Sequence, residues 1–512
     1  MCVWSTTFSG TARDRVRTRP RGAPAPRPVY RGSVPITEAF RQAAIRMQTH
    51  RSRIRRTVPM MKSRPDPFHL HELTPARSAR LIVSAFLLAL LTGTGLLMLP
   101  PATAAPGGTD LLTAAFTATS ALCVTGLVTV DTATYWTPFG QVVIVCLIQV
   151  GGLGVMTFTT MLGILLARKF GLSTRLLANA ETKSRGGARQ VVARIVLTTL
   201  VIECTAAAVL FLRFLLHYHY PPGLALAHGV FHAVSAFNNA GFALYSLNVV
   251  DFAADPVVLL TLSAAVILGG LGYPVLNELR RHLTLPRRWS MNTRLVLLAT
   301  PVLLLGGTLF LALLEWNNPA TLGPQAPAVK VLNAFFQSTI SRTAGFNSID
   351  ISQMHPVSWL GMDILMFIGG GPAGTAGGLK VTTFGVLFFI ALTEIKGGAA
   401  VPVLGKQLSR SVQREAITVV VLATGAVIGG SMLIMLTDTS LGLDRVLYEA
   451  VSAFSTVGLS TGITATIAPF AQCVLIALMV MGRLGPVTVA ASIAFGRRPP
   501  AYELPKERPL IG

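Results

Sequence analysis

Charge is what this 512-residue chain has least of: 12% of its residues are Asp, Glu, Lys or Arg, against roughly a quarter in soluble globular proteins. Acids are the scarcer sign, 21 against 43 basic residues. So thin a polar cover cannot keep 52% hydrophobic residues out of water, which excludes an ordinary soluble enzyme or binding domain. Cysteine is also scarce. Cys2, Cys123, Cys146, Cys204 and Cys473 are scattered without a Cys-x-x-Cys pair, so neither a disulfide framework nor a zinc site is indicated.

What the chain does have is long apolar runs. "LIVSAFLLALLTGTGLLML" (81–99), "QVVIVCLIQVGGLGVMTFTTMLGILLA" (141–167) and "AITVVVLATGAVIGGSMLIML" (416–436) reach the roughly 20 residues that cross a hydrocarbon layer. A polytopic membrane protein is the class that fits. The net charge of +22 comes mainly from residues 1–80, with 17 Lys+Arg against 4 acids. Much of the rest lies in short loops such as 183–190 and 280–288. Basic loops flanking apolar runs mark the cytoplasmic side, which explains the charge better than nucleic-acid binding does. The Arg/Pro-rich tail 1–80 buries too little apolar surface to order its backbone and is expected to be disordered.

Self-similarity organises the remainder. "FTATSALCVTGL" (116–127), "FHAVSAFNNAGF" (231–242), "FFQSTISRTAGF" (335–346) and "YEAVSAFSTVGL" (448–459) align without gaps and place Gly126, Gly241, Gly345 and Gly458 at one register. A second element follows each: "GGLG" (151–154), "GGLG" (269–272), "GGGP" (369–372) and "GRLG" (482–485). The expected fold is all-α and polytopic, with four pseudo-symmetric helix–pore helix–helix repeats around one pore. That makes eight transmembrane helices and four re-entrant pore loops. The boundaries read as a cytoplasmic tail 1–80, repeats at 81–168, 191–282, 294–393 and 415–495, and a cytoplasmic C-terminus 496–512. Segments such as 110–122 and 442–454 are too short to span as helices and too polar to face lipid, so they belong beside a water-filled lumen.

The glycine signatures suit a dehydrated cation. Carbonyl rings replace a hydration shell, glycine keeps the lumen free of side chains, and helix C-termini favour positive charge. The ion-binding set is Val124, Thr125 and Gly126; Asn239, Ala240 and Gly241; Thr343, Ala344 and Gly345; Thr456, Val457 and Gly458. Arg483 interrupts an apolar run at the register of 369–372 and is expected to hydrogen-bond that glycine-rich stretch. Arg342 is expected to pair with Glu449 as a brace behind the filter. Asp131 and Asp350, with Asp251 less closely, are placed to draw cations to the outer mouth, and His232 reads as a packed, hydrogen-bonded residue.

On these motifs the chain resembles the Trk/Ktr/HKT superfamily of potassium transporters, and within it the Ktr-type membrane subunits. The likeness runs from about residue 73 to the end and is carried by "SAFNNAGF", "RTAGFN", "GQVVIVCLIQVGGLGVMTF", "GGLGYPVLNEL" and the terminal "ERPLIG". It implies K⁺ uptake, often Na⁺-stimulated, across the plasma (inner) membrane. It also implies a homodimer with one pore per chain and a cytosolic, nucleotide-binding KtrA-type (RCK) regulatory ring. No covalent cofactor is implied; K⁺ is the cargo, held at the filter only, with Na⁺ as a second candidate. The resemblance further implies an intramembrane gate loop at 368–380, with Gly369, Gly370, Gly371, Gly374, Gly377, Gly378 and Lys380 in it and Arg483 beside it. Two other readings stand against this one. The first is a Na⁺-selective or non-selective cation transporter, which Gly126 disfavours. The second is a membrane-bound dinucleotide oxidoreductase using Gly369, Gly371 and Gly374. That run neither opens a helix after a strand in a βαβ unit nor carries Gly-Lys-[Ser/Thr].

Overall fold

The computed structural model describes residues 75–104, 107–167, 187–398 and 400–485. Most of the basic tail, residues 183–186 of loop 183–190, the end of the fourth repeat and the segment 496–512 lie outside the described residues. Fourteen helices of ten residues or more carry the described chain. They are α1 (Pro75–Leu97), α2 (Leu111–Cys123), α3 (Pro138–Ala167), α4 (Gly187–Leu216), α5 (Pro222–Phe237), α6 (Pro256–Leu271) and α7 (Tyr273–His282). The series continues with α8 (Met291–Glu315), α9 (Pro327–Ile340), α10 (Pro356–Phe367), α11 (Val381–Ile395), α12 (Arg410–Thr437), α13 (Leu443–Ser455) and α14 (Pro469–Leu484). A two-residue hairpin, β1 (Pro402–Val403) with β2 (Lys406–Gln407), is antiparallel.

Local sequence sets the starts. Proline stands in the first turn of α5, α6, α9, α10 and α14, where its fixed φ fits and its missing N–H costs no helix bond. Asp110 and Asp255 cap α2 and α6 by accepting from Thr113 N–H and from Val257 and Val258 N–H, and Ser290 caps α8 through Thr293 N–H. Such side chains satisfy donors that a helix start leaves without partners.

Packing is inverted relative to a soluble protein. α2 is buried from Phe116 to Cys123 and α13 from Tyr448 to Ser455, including Thr117, Thr119, Ser120, Ser452 and Ser455. The long helices instead expose apolar side chains, with Leu216 at 68%, Leu313 at 72% and Leu436 at 75%. Polar groups inside and many exposed apolar side chains outside suit hydrocarbon surroundings. Among the described residues α4, α8 and α12 are each long and apolar enough to cross a membrane, and the shorter apolar α6 is followed by α7 across a 95° bend. The eight spans expected from the sequence are therefore not eight uninterrupted helices. Gly272 breaks the second closing segment, residues 368–380 break the third, and Gly485 caps α14.

Contacts between elements close on themselves. α2, α5 and α13 each pack against the helices on either side of them in sequence, and α9 packs on α8 before it. In addition α3 packs on α5, α6 on α9, α10 on α13, and α14 returns to α2. Each closing helix thus meets the short helix of the next run, and the last meets the first.

Candidate ion pathway

Each short helix ends in a turn with an unusual backbone. Val124 (φ 58°), Asn239 (φ 61°), Thr343 (φ 88°) and Thr456 (φ 50°) lie at positive φ. Three of these are β-branched, so each conformation costs roughly 1–3 kcal/mol and persists only where its surroundings impose it. Two residues on, Gly126, Gly241, Gly345 and Gly458 have φ of 96°, 71°, 65° and 93°.

The N–H groups of these segments are turned back onto their own helices. Thr125, Ala240 and Val457 donate to the carbonyls of Ser120 (2.8 Å), Ser235 (2.7 Å) and Ser452 (2.9 Å). Gly126 and Gly458 donate to the Ser120 and Ser452 hydroxyls, both at 3.0 Å. At these three turns the donors are satisfied behind, which leaves the peptide oxygens in front; at the third turn Ala344 N–H donates to Ile340 O and Ala344 O itself accepts from Phe346 N–H, both at 2.9 Å.

Those oxygens form a closed sequence. A methyl group on Gly126 would stand 2.3 Å from Ala240 O, and one on Gly241 2.6 Å from Ala344 O. One on Gly345 would stand 2.5 Å from Val457 O, and one on Gly458 2.0 Å from Thr125 O. First meets second, second third, third fourth, and fourth first. No side chain fits at any of the four. Gly151, Gly269 and Gly482, from the second shared element, abut the Leu122, Phe237 and Phe454 carbonyls so closely that an added Cβ would stand 2.0, 1.9 and 1.6 Å away. These carbonyls sit at one register, four residues before Gly126, Gly241 and Gly458.

Behind the turns the four corners differ. The Asn239 side-chain amide lies between the hydroxyls of Thr343 (3.1 Å) and Thr375 (3.0 Å). Arg342 and Glu449 do not pair, which corrects the brace expected from the sequence. Arg342 Nη2 donates to Gly369 O at 3.4 Å. Glu449 accepts from the Ser460 hydroxyl (2.6 Å), Thr461 N–H (2.9 Å) and the Thr464 hydroxyl (2.8 Å). Hydroxyl and amide donors close behind in the chain saturate the carboxylate and tie down the segment after the fourth turn, while the guanidinium reaches the glycine-rich loop. Among the described residues the one ion pair is Arg213–Asp255.

The stretch 368–380 is a loop between α10 and α11. Gly369 N–H donates to Leu379 O (2.8 Å) and Val381 N–H to Gly370 O (2.9 Å), closing its base. Gly371 and Thr375 N–H donate to Gly270 O (2.7 Å) and Gly269 O (3.2 Å), and Tyr273 N–H to Ala373 O (3.2 Å). Gly374 sits 2.9 Å, measured from an added Cβ, from Gly269 O, Gly377 faces the Thr456 hydroxyl, and Gly378 (φ 59°) faces Ser455. Arg483, 5% exposed, donates to Thr375 O and to Gly151 O (3.0 Å). Lys380 Nζ donates to Ala376 O. A parallel bridge between Ile368 and Leu379 is all the strand character the loop has, so no strand–turn–helix unit surrounds Gly369, Gly371 and Gly374.

At the candidate outer mouth, Asp131 accepts from Ala133 N–H (3.0 Å), the Thr134 hydroxyl (2.9 Å) and the Ser246 hydroxyl (2.5 Å), the last from the segment after the second turn. Burial pushes its carboxyl up, but these hydrogen bonds outweigh that and hold it below the usual aspartate value. Asp350 caps its own turn through Ser352, and Asp251 lies exposed in the turn Val250–Phe252. The His232 ring bridges His228 O (2.7 Å) and Leu244 N–H (3.3 Å).

Four buried acids escaped the sequence reading, one of them Asp255, the cap of α6 and the partner of Arg213. Glu203 accepts from Gln149 (3.1 Å) and Asn238 (3.0 Å) behind the second turn. Glu315 gathers Asn318, Thr321, His355 N–H and Ser358. Asp363 is buried with Oδ1 unpartnered. Glu203, Glu315 and Asp363 are each a lone acid near or inside an apolar run, the same signal that singled out Arg483.

Residues 71–497 match the family described as TrkH, cation transport protein. The chain belongs to that family. It is 36% identical to the "Ktr system potassium uptake protein B" of Vibrio alginolyticus over 85% of this chain and 94% of that protein. A protein of the same name from Bacillus subtilis is also 36% identical, over 81% and 92%. The "Potassium/sodium uptake protein NtpJ" of Enterococcus hirae is 31% identical over 85% and 97%. The fold matches the crystal structure of the potassium transporter TrkH from Vibrio parahaemolyticus with a TM-score of 0.66 at 18% identity, covering 84% of this chain and 87% of that one. The chain is thus a transport protein rather than an enzyme, which removes the oxidoreductase reading.

Proposed function

We propose that this chain is the ion-translocating subunit of a K⁺ uptake system. The observation that carries the proposal is the closed sequence of glycine-to-carbonyl contacts through Gly126, Gly241, Gly345 and Gly458. Four quasi-symmetric corners of one polypeptide present peptide oxygens to a common axis, where they replace water around a dehydrated cation. In this reading α2, α5, α9 and α13 are re-entrant pore helices, with eight spans around them. Val124 to Gly126, Asn239 to Gly241, Thr343 to Gly345 and Thr456 to Gly458 are the filter. The loop 368–380 blocks the path until it moves, and Arg483 and Lys380 hold it through its carbonyls. Asp131 and Asp350 raise the cation concentration outside. Both termini face the cytoplasm by the distribution of basic loops. A homodimer and a cytosolic nucleotide-binding ring complete the assembly, in line with the naming of two relatives as members of a Ktr system.

Growth rescue of a bacterium stripped of its own K⁺ uptake, at low external K⁺ with and without Na⁺, tests the reading. Rescue that Gly458→Ala abolishes supports it. Failure of the unaltered chain even with a matching ring subunit refutes it. A second reading, carriage of Na⁺ beside K⁺, draws on the Enterococcus hirae relative and is read by the same growth assay in Na⁺.

A further inference from the structure

The sharp turn at Gly272 joins two things that a straight helix would keep apart. On one side, the residues of the turn hold the glycine-rich loop: Gly269 O, Gly270 O and Tyr273 N–H bond to Thr375, Gly371 and Ala373. Gly272 (φ 89°) sits where a Cβ would lie 2.5 Å from Pro372 O, so the loop and the bend are in direct contact. On the other side, α7 leaves at 95° to α6. If α6 runs along the membrane normal, α7 lies along the membrane surface.

α7 and the turn after it have the composition of an interfacial element. Their inner face is fixed: Val275 is fully buried, and Leu276 and Leu279 pack with Val296 of α8. Their outer face carries Arg280, Arg281, Arg287 and Arg288, all exposed, around Leu283 (69% exposed) and Leu285 (46%). Trp289 is anchored by donation of its indole N–H to His282 O at 2.9 Å. Glu278, the one acid between residues 273 and 294, is committed to Ser290 N–H (2.7 Å) and to the Ser290 and Thr293 hydroxyls. The arginines are left without an anionic partner among the described residues. Guanidinium groups on apolar stems, at the level where an indole and leucines enter a bilayer, match lipid phosphate.

We propose that Arg280, Arg281, Arg287 and Arg288 bind anionic phospholipid headgroups of the cytoplasmic leaflet, and that this anchorage, through the bend at Gly272, restrains the loop 368–380. The occupant is a lipid rather than a protein because the basic groups are interleaved with exposed leucines on an element laid along the surface. The inference rests on the reading of α6 as a span, and its first readout does not depend on transport.

The test uses the full chain reconstituted in vesicles of phosphatidylcholine alone or mixed in equal parts with phosphatidylglycerol. Tryptophan quenching by bromine-labelled phosphatidylglycerol, compared with labelled phosphatidylcholine, reports binding. Rubidium tracer flux reports restraint. The second protein carries Arg280→Gln, Arg281→Gln, Arg287→Gln and Arg288→Gln. The expected result is preferential quenching by phosphatidylglycerol that the four substitutions abolish. Flux of the variant should be several-fold above that of the unaltered chain in mixed vesicles and equal to it in phosphatidylcholine alone. Comparing the two proteins in one membrane cancels the cation enrichment that an anionic surface causes by itself. Equal quenching by the two lipids in the unaltered chain, or a preference that survives in the variant, overturns the lipid site. Preferential quenching with a flux ratio of one in both membranes overturns the restraint. A cytosolic ring subunit that binds the unaltered chain and not the variant, where quenching shows no lipid preference, reassigns the surface to protein docking.

Discussion

Gly458 has the least room of the four repeated glycines in the proposed filter: its missing Cβ would overlap Thr125 O at 2.0 Å, and its φ of 93° is closed to other residues without strain. Gly458→Ala is therefore expected to abolish K⁺ uptake while the protein still reaches the membrane, as measured by tracer uptake against surface labelling. Arg483 acts through two carbonyls on different segments, Thr375 and Gly151. Arg483→Ala removes both and is expected to raise resting K⁺ leak several-fold; an unchanged leak would remove it from the gate. At Asp131 the depressed pKa keeps the carboxylate ionised across neutral and mildly acidic conditions. The stability its hydrogen bonds contribute is present above the ordinary aspartate pKa of 3.8 and is lost only as pH falls through the lower folded value. Its effect on uptake at low ionic strength should accordingly be flat from neutral to mildly acidic pH and vanish in Asp131→Asn, read as initial uptake rates in dilute buffer.

At the scale of elements, the turns are held by anchors that do not share partners. Glu449 holds the segment after the fourth turn, and Arg342 reaches the loop. Arg342→Gln and Glu449→Gln should be additive in thermal unfolding, with a coupling below about 0.5 kcal/mol; a larger coupling would restore the brace. This is also where the sequence was least legible. The short helices at 111–123 and 443–455 were readable as 110–122 and 442–454, because their glycine ends recur in register and their polar residues forbid lipid. The glycines of the second element were visible, but their use was not. Gly151 continues a helix, Gly269 precedes a bend, Gly369 opens a loop and Gly482 precedes a cap, although all four sit at one repeat position. Partner choice by long side chains was equally hidden. Arg342 had a carboxylate within one repeat unit, yet three hydroxyl and amide donors 11 to 15 residues beyond Glu449 took that carboxylate first.

For the molecule as a whole, the contact cycle α3–α5, α6–α9, α10–α13, α14–α2 makes the pathway depend on all four runs together. No single run owns the site, so a substitution at one corner is expected to act on the whole pathway. The family match begins at residue 71, and a chain starting there should rescue growth as well as the full one; loss of rescue would give the basic tail a role. The central claim is that peptide oxygens of four corners converge on one ion. Crystals or cryo-EM grids of the full chain with thallium, a heavy stand-in for potassium, test it most directly. The account predicts thallium density on the axis between Thr125 O, Ala240 O, Ala344 O and Val457 O. Well-ordered corners with those oxygens turned away, and thallium absent from the space between them, would contradict it.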